Sequence, residues 1–161
     1  MKKTLLTLLL LPFVVSCQTT KKETQEKKKY AVEKTEATWK KELPEMAYFV
    51  LRQAGTESPF TGEYNKFYEA GVYACAACKT KLYYSKDKYD SKSGWPSFDQ
   101  GVTENLEFDV DYKLGYARTE LKCNTCGGHL GHMFNDGPRK TTGKRHCINS
   151  AALTFIPDTD E

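Results

Sequence analysis

The sequence predicts a mainly β domain, a mostly antiparallel and twisted set of short strands with one short helix at its start. Three observations carry that expectation. Ten Tyr, eight Phe and two Trp in 161 residues favour pleated, half-buried surfaces. Leu106-Glu107-Phe108-Asp109-Val110-Asp111-Tyr112 alternates apolar with acidic residues, as a half-exposed strand does. Two Cys-x-x-Cys pairs, Cys75/Cys78 and Cys123/Cys126, have the spacing of hairpin knuckles that close on one metal ion. The length suits a single domain with a real core. A net charge of +3 is too small to point to nucleic acid.

Residues 1–16 are expected to be a targeting segment. Lys2 and Lys3 precede an apolar run from Leu5 to Val15, interrupted by Thr7 and Pro12. The run is too short to span a bilayer and matches the hydrophobic region of a secretory signal. It ends in Val14-Val15-Ser16-Cys17, which looks like a bacterial lipobox. In signals of that kind cleavage falls before the cysteine, which is then acylated. Several acyl chains on Cys17 would anchor the chain stably, where one alone is marginal. A simple cleaved signal with an incidental cysteine is the alternative. Gln18 is not the aspartate that marks inner-membrane retention in some bacteria. The expected location is the cell envelope, lipid-anchored to a bacterial membrane with the domain outside the cytoplasm, in the periplasm.

Residues 17–37 are mostly Lys, Glu, Thr and Gln and cannot bury enough surface to offset their ordering entropy. They are read as a tether, about 25 Å in r.m.s. reach. The folded domain is placed at 38–157, with 158–161 as a tail. Leu43-Pro44-Glu45 reads as a helix start with Pro44 in the first turn. Met46, Phe49 and Val50 recur at helical spacing, and Gly55 supplies a stop. Thr56 to Tyr64 is a loop. Strand-like runs follow at Val72–Cys75, Lys81–Tyr84, Leu106–Tyr112, Leu114–Leu121 and Ala151–Ile156.

Four thiolates would close a tetrahedral zinc shell with no open position, so such a site is structural. Gly127 permits the tight backbone after the second pair. Two redox-active dithiols, or two disulfides, are the competing assignments. Cys147 is then the cysteine without a covalent or metal assignment. Arg145 and His146 precede it and Asn149 follows. A nearby cation would favour the thiolate, although free cysteines are commonly buried and inert. Two of the three histidines, His129 and His132, lie in Gly127-Gly128-His129-Leu130-Gly131-His132-Met133-Phe134-Asn135-Asp136-Gly137-Pro138. Together with Cys147 they form a nucleophile-plus-acid set. A second metal held by His129, His132 and Cys147 is disfavoured, because the four other cysteines already account for one closed site. Trp95, in Ser93-Gly94-Trp95-Pro96-Ser97-Phe98, is either a rigid apolar wall in a loop or an ordinary core tryptophan.

Taken together, Gly-Trp-Pro-Ser-Phe (94–98), Gly-His-Leu-Gly-His-Met-Phe-Asn-Asp-Gly-Pro (128–138) and Arg-His-Cys-Ile-Asn-Ser-Ala (145–151) resemble the B class of peptide-methionine sulfoxide reductases. Thr56-Glu57-Ser58-Pro59-Phe60 and Gly71-Val72-Tyr73-Ala74-Cys75 add to the likeness, which spans about Trp39 to Ile156. The resemblance implies two antiparallel sheets and reduction of the R epimer of methionine sulfoxide, mainly in proteins. It implies Cys147 as the attacking thiolate, leaving a sulfenic acid, with His129 and His132 placing the oxygen and delivering a proton. It places Trp95 on the substrate methyl group, and Asn149 and Arg145 as residues that order the site and favour the thiolate. Phe134 and His146 complete the expected substrate-binding set. Many members of that family carry a resolving cysteine just before Gly-Trp-Pro-Ser-Phe, where this chain has Ser93. A hydroxyl cannot form a disulfide, so the expected electron donor is an external thioredoxin-like or small-thiol reductant. A non-catalytic, zinc-stabilised binding domain on a lipid tether is the alternative function, and a disulfide oxidoreductase using the Cys-x-x-Cys pairs is a third.

Overall fold

Thr35 begins the first regular element by turning its hydroxyl to the Thr38 amide at 3.2 Å, a side-chain cap on otherwise unpaired helix donors. A computed structural model describes residues 28–159; the expected signal segment, Cys17, the expected tether up to residue 27 and residues 160–161 lie outside them. Helix α1 (Glu36–Glu42) buries Trp39, and α2 (Glu45–Gln53) follows directly. Pro44 stands just before α2 rather than inside its first turn. The buried face of α2 is Ala47, Val50 and Leu51, one residue round from the expected stripe, and Met46 and Phe49 are largely exposed. The left-handed stop is Ala54 (φ 50°), not Gly55. A Cβ on Gly55 would lie 2.3 Å from the Phe49 ring, which would have to turn aside.

Among the described residues nine strands follow: β1 (Gly71–Cys75), β2 (Lys81–Tyr84), β3 (Lys88–Tyr89), β4 (Ser97–Phe98), β5 (Leu106–Asp111), β6 (Arg118–Cys123), β7 (His129–Phe134), β8 (Arg145–Ile148) and β9 (Leu153–Pro157). They form a three-stranded sheet in the order β2-β1-β9 and a six-stranded sheet in the order β3-β4-β8-β7-β6-β5. Every pairing is antiparallel, so the mainly β expectation with two antiparallel sheets holds. Two short helices stand at the start instead of one. Between the sheets the fully buried Tyr83 and Phe98 rings stack at 4.3 Å, and Tyr73 meets Phe98 edge-on at 5.1 Å. Such pairs contribute about 0.5–1.5 kcal/mol each beyond the area they bury.

The tether expectation ran to Ala37, and packing begins earlier than that. Lys28 pairs with Glu107 at 2.7 Å, the Val32 amide donates to Thr125 O at 2.9 Å, and the Tyr30 ring lies over Gly127. Residues 28–37 therefore belong to the folded body. Their few apolar side chains suffice because Trp39 and the second cysteine turn are there to receive them.

Cys75 closes β1 and Cys123 closes β6, so each cysteine pair extends from a different sheet. The two turns match bond for bond. Lys79 N donates to Cys75 O and Gly127 N to Cys123 O, both at 2.8 Å, with Lys79 (φ 62°) and Gly127 (φ 70°) left-handed at the same position. All four sulfurs lie within 4.8 Å of one another. They make one cluster rather than two separate dithiols, and none is in a disulfide.

Lysine in the left-handed region carries a steric cost of about 1–2 kcal/mol that glycine does not. Lys79→Gly should therefore raise stability by about 0.5–1 kcal/mol once glycine's greater unfolded entropy is subtracted. Urea midpoints of the two proteins measure this, with the slope unchanged.

Candidate active site

Strand β8 lies inside the six-stranded sheet, paired with β4 on one side and β7 on the other. Alternation sends its residues to opposite faces. Ile148 and His146 are buried, while Arg145 and Cys147 emerge on the other side. Cys147 is directly opposite His132 in the β7–β8 register, which puts the two side chains on one face. Gly131 makes the approach of β7 feasible, because a Cβ there would stand 2.0 Å from Cys147 O.

His129 and His132 are three apart and would face oppositely in a regular strand. A register shift between Leu121 and Lys122 on β6 pairs them with Gly131 and His129 in turn, so Leu130 is the extra residue of a bulge. The bulge restores parity, and the two imidazoles meet edge to face at 5.3 Å. Each is held by a carboxylate. Glu120 Oε1 lies 2.5 Å from His129 Nδ1, and Asp111 Oδ2 lies 2.8 Å from His132 Nε2. Arg118 also donates to that Asp111 oxygen. Asp111 is kept well below the usual carboxylate range, first by the Lys113 amide, then by His132 and Arg118. Ionised, it can only accept, so the His132 proton is on Nε2 and Nδ1 is free. Burial lowers the His132 pKa despite Asp111. His129 Nε2 is buried with no partner.

Over Cys147 opens a hollow of about 130 Å³, walled by Trp95, Phe134, His132, Arg118 and Asn149. Trp95 is fixed by its indole N–H, which donates to Glu57 O at 3.1 Å. Asn149 joins three segments: its amide donates to Leu130 O at the bulge (2.9 Å) and its oxygen accepts from Glu57 N (3.0 Å). The buried Glu57 carboxylate accepts from Ser150 N at 2.6 Å and Ala151 N at 2.9 Å. Arg145 grips Asp136 with two hydrogen bonds of 2.8 and 2.9 Å and lies 4.5 Å over the Phe134 ring. Ser93 Oγ is 3.8 Å from Cys147 Sγ.

The geometry departs from the sequence expectation at two points. His146, expected at the substrate, faces the other way. It is buried, with Nδ1 3.3 Å from Tyr83 OH, and packs edge-on to the Tyr83 and Phe108 rings. Burial pushes its pKa down to about 4, so it is a neutral core histidine, placed there by the alternation of β8. At Cys147, Ser93 and Arg145 do pull the thiol pKa down, but burial is the larger influence and holds it above the ordinary value. Burial thus favours the thiol over the thiolate in the substrate-free site. Glu57, Asp111, Arg118 and Glu120 were not singled out from the sequence as site residues.

A family model described as the SelR domain matches residues 43–157. The chain belongs to that family. It is 50% identical over 135 residues to a protein named peptide methionine sulfoxide reductase MsrB from Leifsonia xyli, covering 83% of this chain and 97% of the relative. The protein of that name from Leptospira interrogans is 53% identical over 127 residues, 78% of this chain and 96% of the other. One from Burkholderia thailandensis is 48% identical over 129 residues, 80% and 90% of the two chains. In this SelR domain the matched span holds Trp95, both site histidines, Cys147 and the four clustered cysteines.

A raised thiol pKa sets a pH dependence with a clear sign. Alkylation of Cys147 by iodoacetamide needs thiolate, so in the substrate-free protein it should lag a free cysteine at neutral pH. It should still be rising above pH 9, where a free thiol of pKa about 8.5 is levelling off. Arg145→Ala should move the profile further up.

Proposed function

We propose that this SelR-domain protein reduces the R epimer of methionine sulfoxide in proteins, with Cys147 as nucleophile. The observation that carries this reading is a single thiol at the base of a small hollow. The Trp95 indole forms one wall, and His132, held by a carboxylate, lies across the strand pair. The indole suits the sulfoxide's methyl group, and the hollow admits one side chain. The Cys147 sulfur takes the oxygen from the substrate sulfur: a new S–O bond forms, the sulfoxide S–O bond breaks, the cysteine is oxidised to sulfenic acid and methionine is released. The thiol's proton stays in the balance. His132 can accept it at the free Nδ1, with Asp111 stabilising the imidazolium, and return it to the departing oxygen. His129, with an unpartnered buried nitrogen, sits beside that path. Asn149 and Arg145 act by position, the first tying Trp95's loop to the bulge and the second drawing the thiol towards ionisation.

Regeneration of Cys147 is assigned to an external thiol, thioredoxin-like or small. Ser93 occupies the neighbouring position and carries no sulfur, and the other four described cysteines are drawn together elsewhere. An incoming thiol attacks the sulfenic acid, releases water and leaves a mixed disulfide, which a second thiol reduces. The four-cysteine cluster is read as a zinc site. Zinc–sulfur bonds of about 2.3 Å give tetrahedral sulfur–sulfur edges of about 3.8 Å. Here Cys75 and Cys126 sulfurs are 3.8 Å apart and those of Cys78 and Cys123 are 3.5 Å apart. Bound there, the ion would have no open position and would supply folding free energy rather than chemistry. We assign the domain to the outer side of a bacterial membrane through acylated Cys17, on the strength of the lipobox-like residues 14–17. Among the described residues no helix is long and apolar enough to cross a membrane.

Turnover of separated R and S diastereomers of blocked methionine sulfoxide with a small dithiol tests the assignment. Reduction of R alone, abolished in Cys147→Ser, is expected; equal use of both, or activity without Cys147, overturns it. After one equivalent of R sulfoxide and no reductant, mass spectrometry should find sulfenic acid on Cys147. Ser93→Cys should give a Cys147 disulfide instead. Cys78→Ser should lose metal and thermal stability together, read by elemental analysis and calorimetry.

A further inference from the structure

The hollow above Cys147 is too small for a peptide. Sites that enclose a whole small ligand measure roughly 300–1,000 Å³, against about 130 Å³ here, so the rest of a polypeptide substrate must lie outside. One way out is built into the fold. Sharing Thr56, Arg118 and His132 as common walls, a second hollow of about 410 Å³ opens between the end of α2 and the β5–β6 hairpin. Ala54 lines one side, and Lys113 and Leu114 line the other. Lys113 Nζ donates to Ala54 O at 2.8 Å and bridges the two sides.

The hairpin turn that forms the outer side is unusual in composition. Tyr112, Leu114 and Tyr116 are 67%, 61% and 58% exposed, three large apolar side chains within five residues. The turn is tight, with Gly115 N donating to Tyr112 O at 2.9 Å, and a Cβ on Gly115 would meet nothing within 4 Å. Of the three, Leu114 lines the outer hollow, with the two tyrosines exposed at the same turn, and large exposed apolar side chains at the rim of a site mark binding surfaces. Charge narrows the choice of occupant. Asp111 is engaged by Arg118 and His132, Glu120 by His129, and Lys113 by a carbonyl. Each carboxylate and the lysine lining the outer hollow thus already has a partner, so neither a free carboxylate nor a free ammonium is offered to a charged ligand.

We propose that the outer hollow and the hairpin tip bind the polypeptide that flanks the oxidised methionine, seating an adjacent apolar side chain against Leu114, Tyr112 and Tyr116. The substrate class is thus an unfolded or extended segment with an aliphatic or aromatic residue beside the sulfoxide. The inference rests on the reductase reading above, since continuity with the Cys147 hollow is what selects the occupant. Contact with a flanking residue is made equally before and during oxygen transfer, so it acts on KM and not on kcat.

Steady-state kinetics on the full chain test it, with three R-sulfoxide substrates: the blocked amino acid, short peptides with leucine or phenylalanine on either side, and the same peptides with glycine there. The apolar-flanked peptides should show a KM lower on the order of tenfold, the worth of one buried aliphatic side chain. Leu114→Ser and the double variant Tyr112→Ser/Tyr116→Ser should erase that advantage while leaving turnover of the blocked amino acid unchanged, which also reports an intact fold. Leu114→Met should restore it. Turnover without any preference for the apolar flank overturns this inference alone. So does an equal loss on all substrates, a rise in KM for a protein dithiol reductant instead, or a hairpin-dependent dimer in sedimentation. No turnover of any R sulfoxide overturns the reductase reading and this inference with it.

Discussion

Four sulfur atoms drawn to one point are the constraint on which the two sheets depend. Cys75 ends a strand of the smaller sheet and Cys123 ends a strand of the larger, so the cluster fixes where the sheets meet. The matched turns show how it is done: the same hydrogen bond and the same left-handed residue occur in each. With that end fixed, the Tyr73, Tyr83 and Phe98 rings pack between the sheets and cover the back of β4 and β8. The N-terminal residues then close over the second turn through Tyr30 and Val32.

A second constraint orders the site itself. Glu57 reaches from the loop after α2 to two amides 93 and 94 residues away, and its own backbone holds Asn149 and the Trp95 indole. A buried carboxylate is costly unless its oxygens are satisfied, and here both oxygens accept from backbone amides. The same residue therefore links the aromatic wall, the thiol's strand end and the bulge that turns His129 towards His132. Removing it would disturb three sides of the hollow without touching the sulfur.

Much of this was legible in the chain. The cysteine spacing gave the cluster, the period-two run gave β5, and the small set of histidines near Cys147 marked the site. The strands that carry the site were harder to read. Residues 129–134 contain a glycine and two histidines, so their strand character is imposed by β6 and β8 and not by propensity. His146 was misread because adjacency in sequence is opposition in a strand. Glu57, Asp111, Arg118 and Glu120 look like ordinary surface charges in a sequence; only tertiary pairing makes them a scaffold for the imidazoles and the indole. Residues 28–37 read as tether because their polar composition outweighs three or four anchoring side chains. What anchors them is a surface assembled from distant parts of the chain.

Cys147 belongs to an interior strand with hydrogen-bonded neighbours on both sides, among the least yielding positions a fold offers. Many nucleophiles ride on loops that adjust to their targets; Cys147, in the role proposed for it, does not travel. The adjustment then falls on the other molecule, which must bring an oxidised side chain out of its own surroundings and into a recess one residue deep. A target protein whose damaged methionine remains packed is invisible to such a site. One whose damage has loosened the local fold presents itself. On this geometry the order of repair among oxidised proteins follows how readily each opens around its lesion, so that the repair site samples the local stability of its clients.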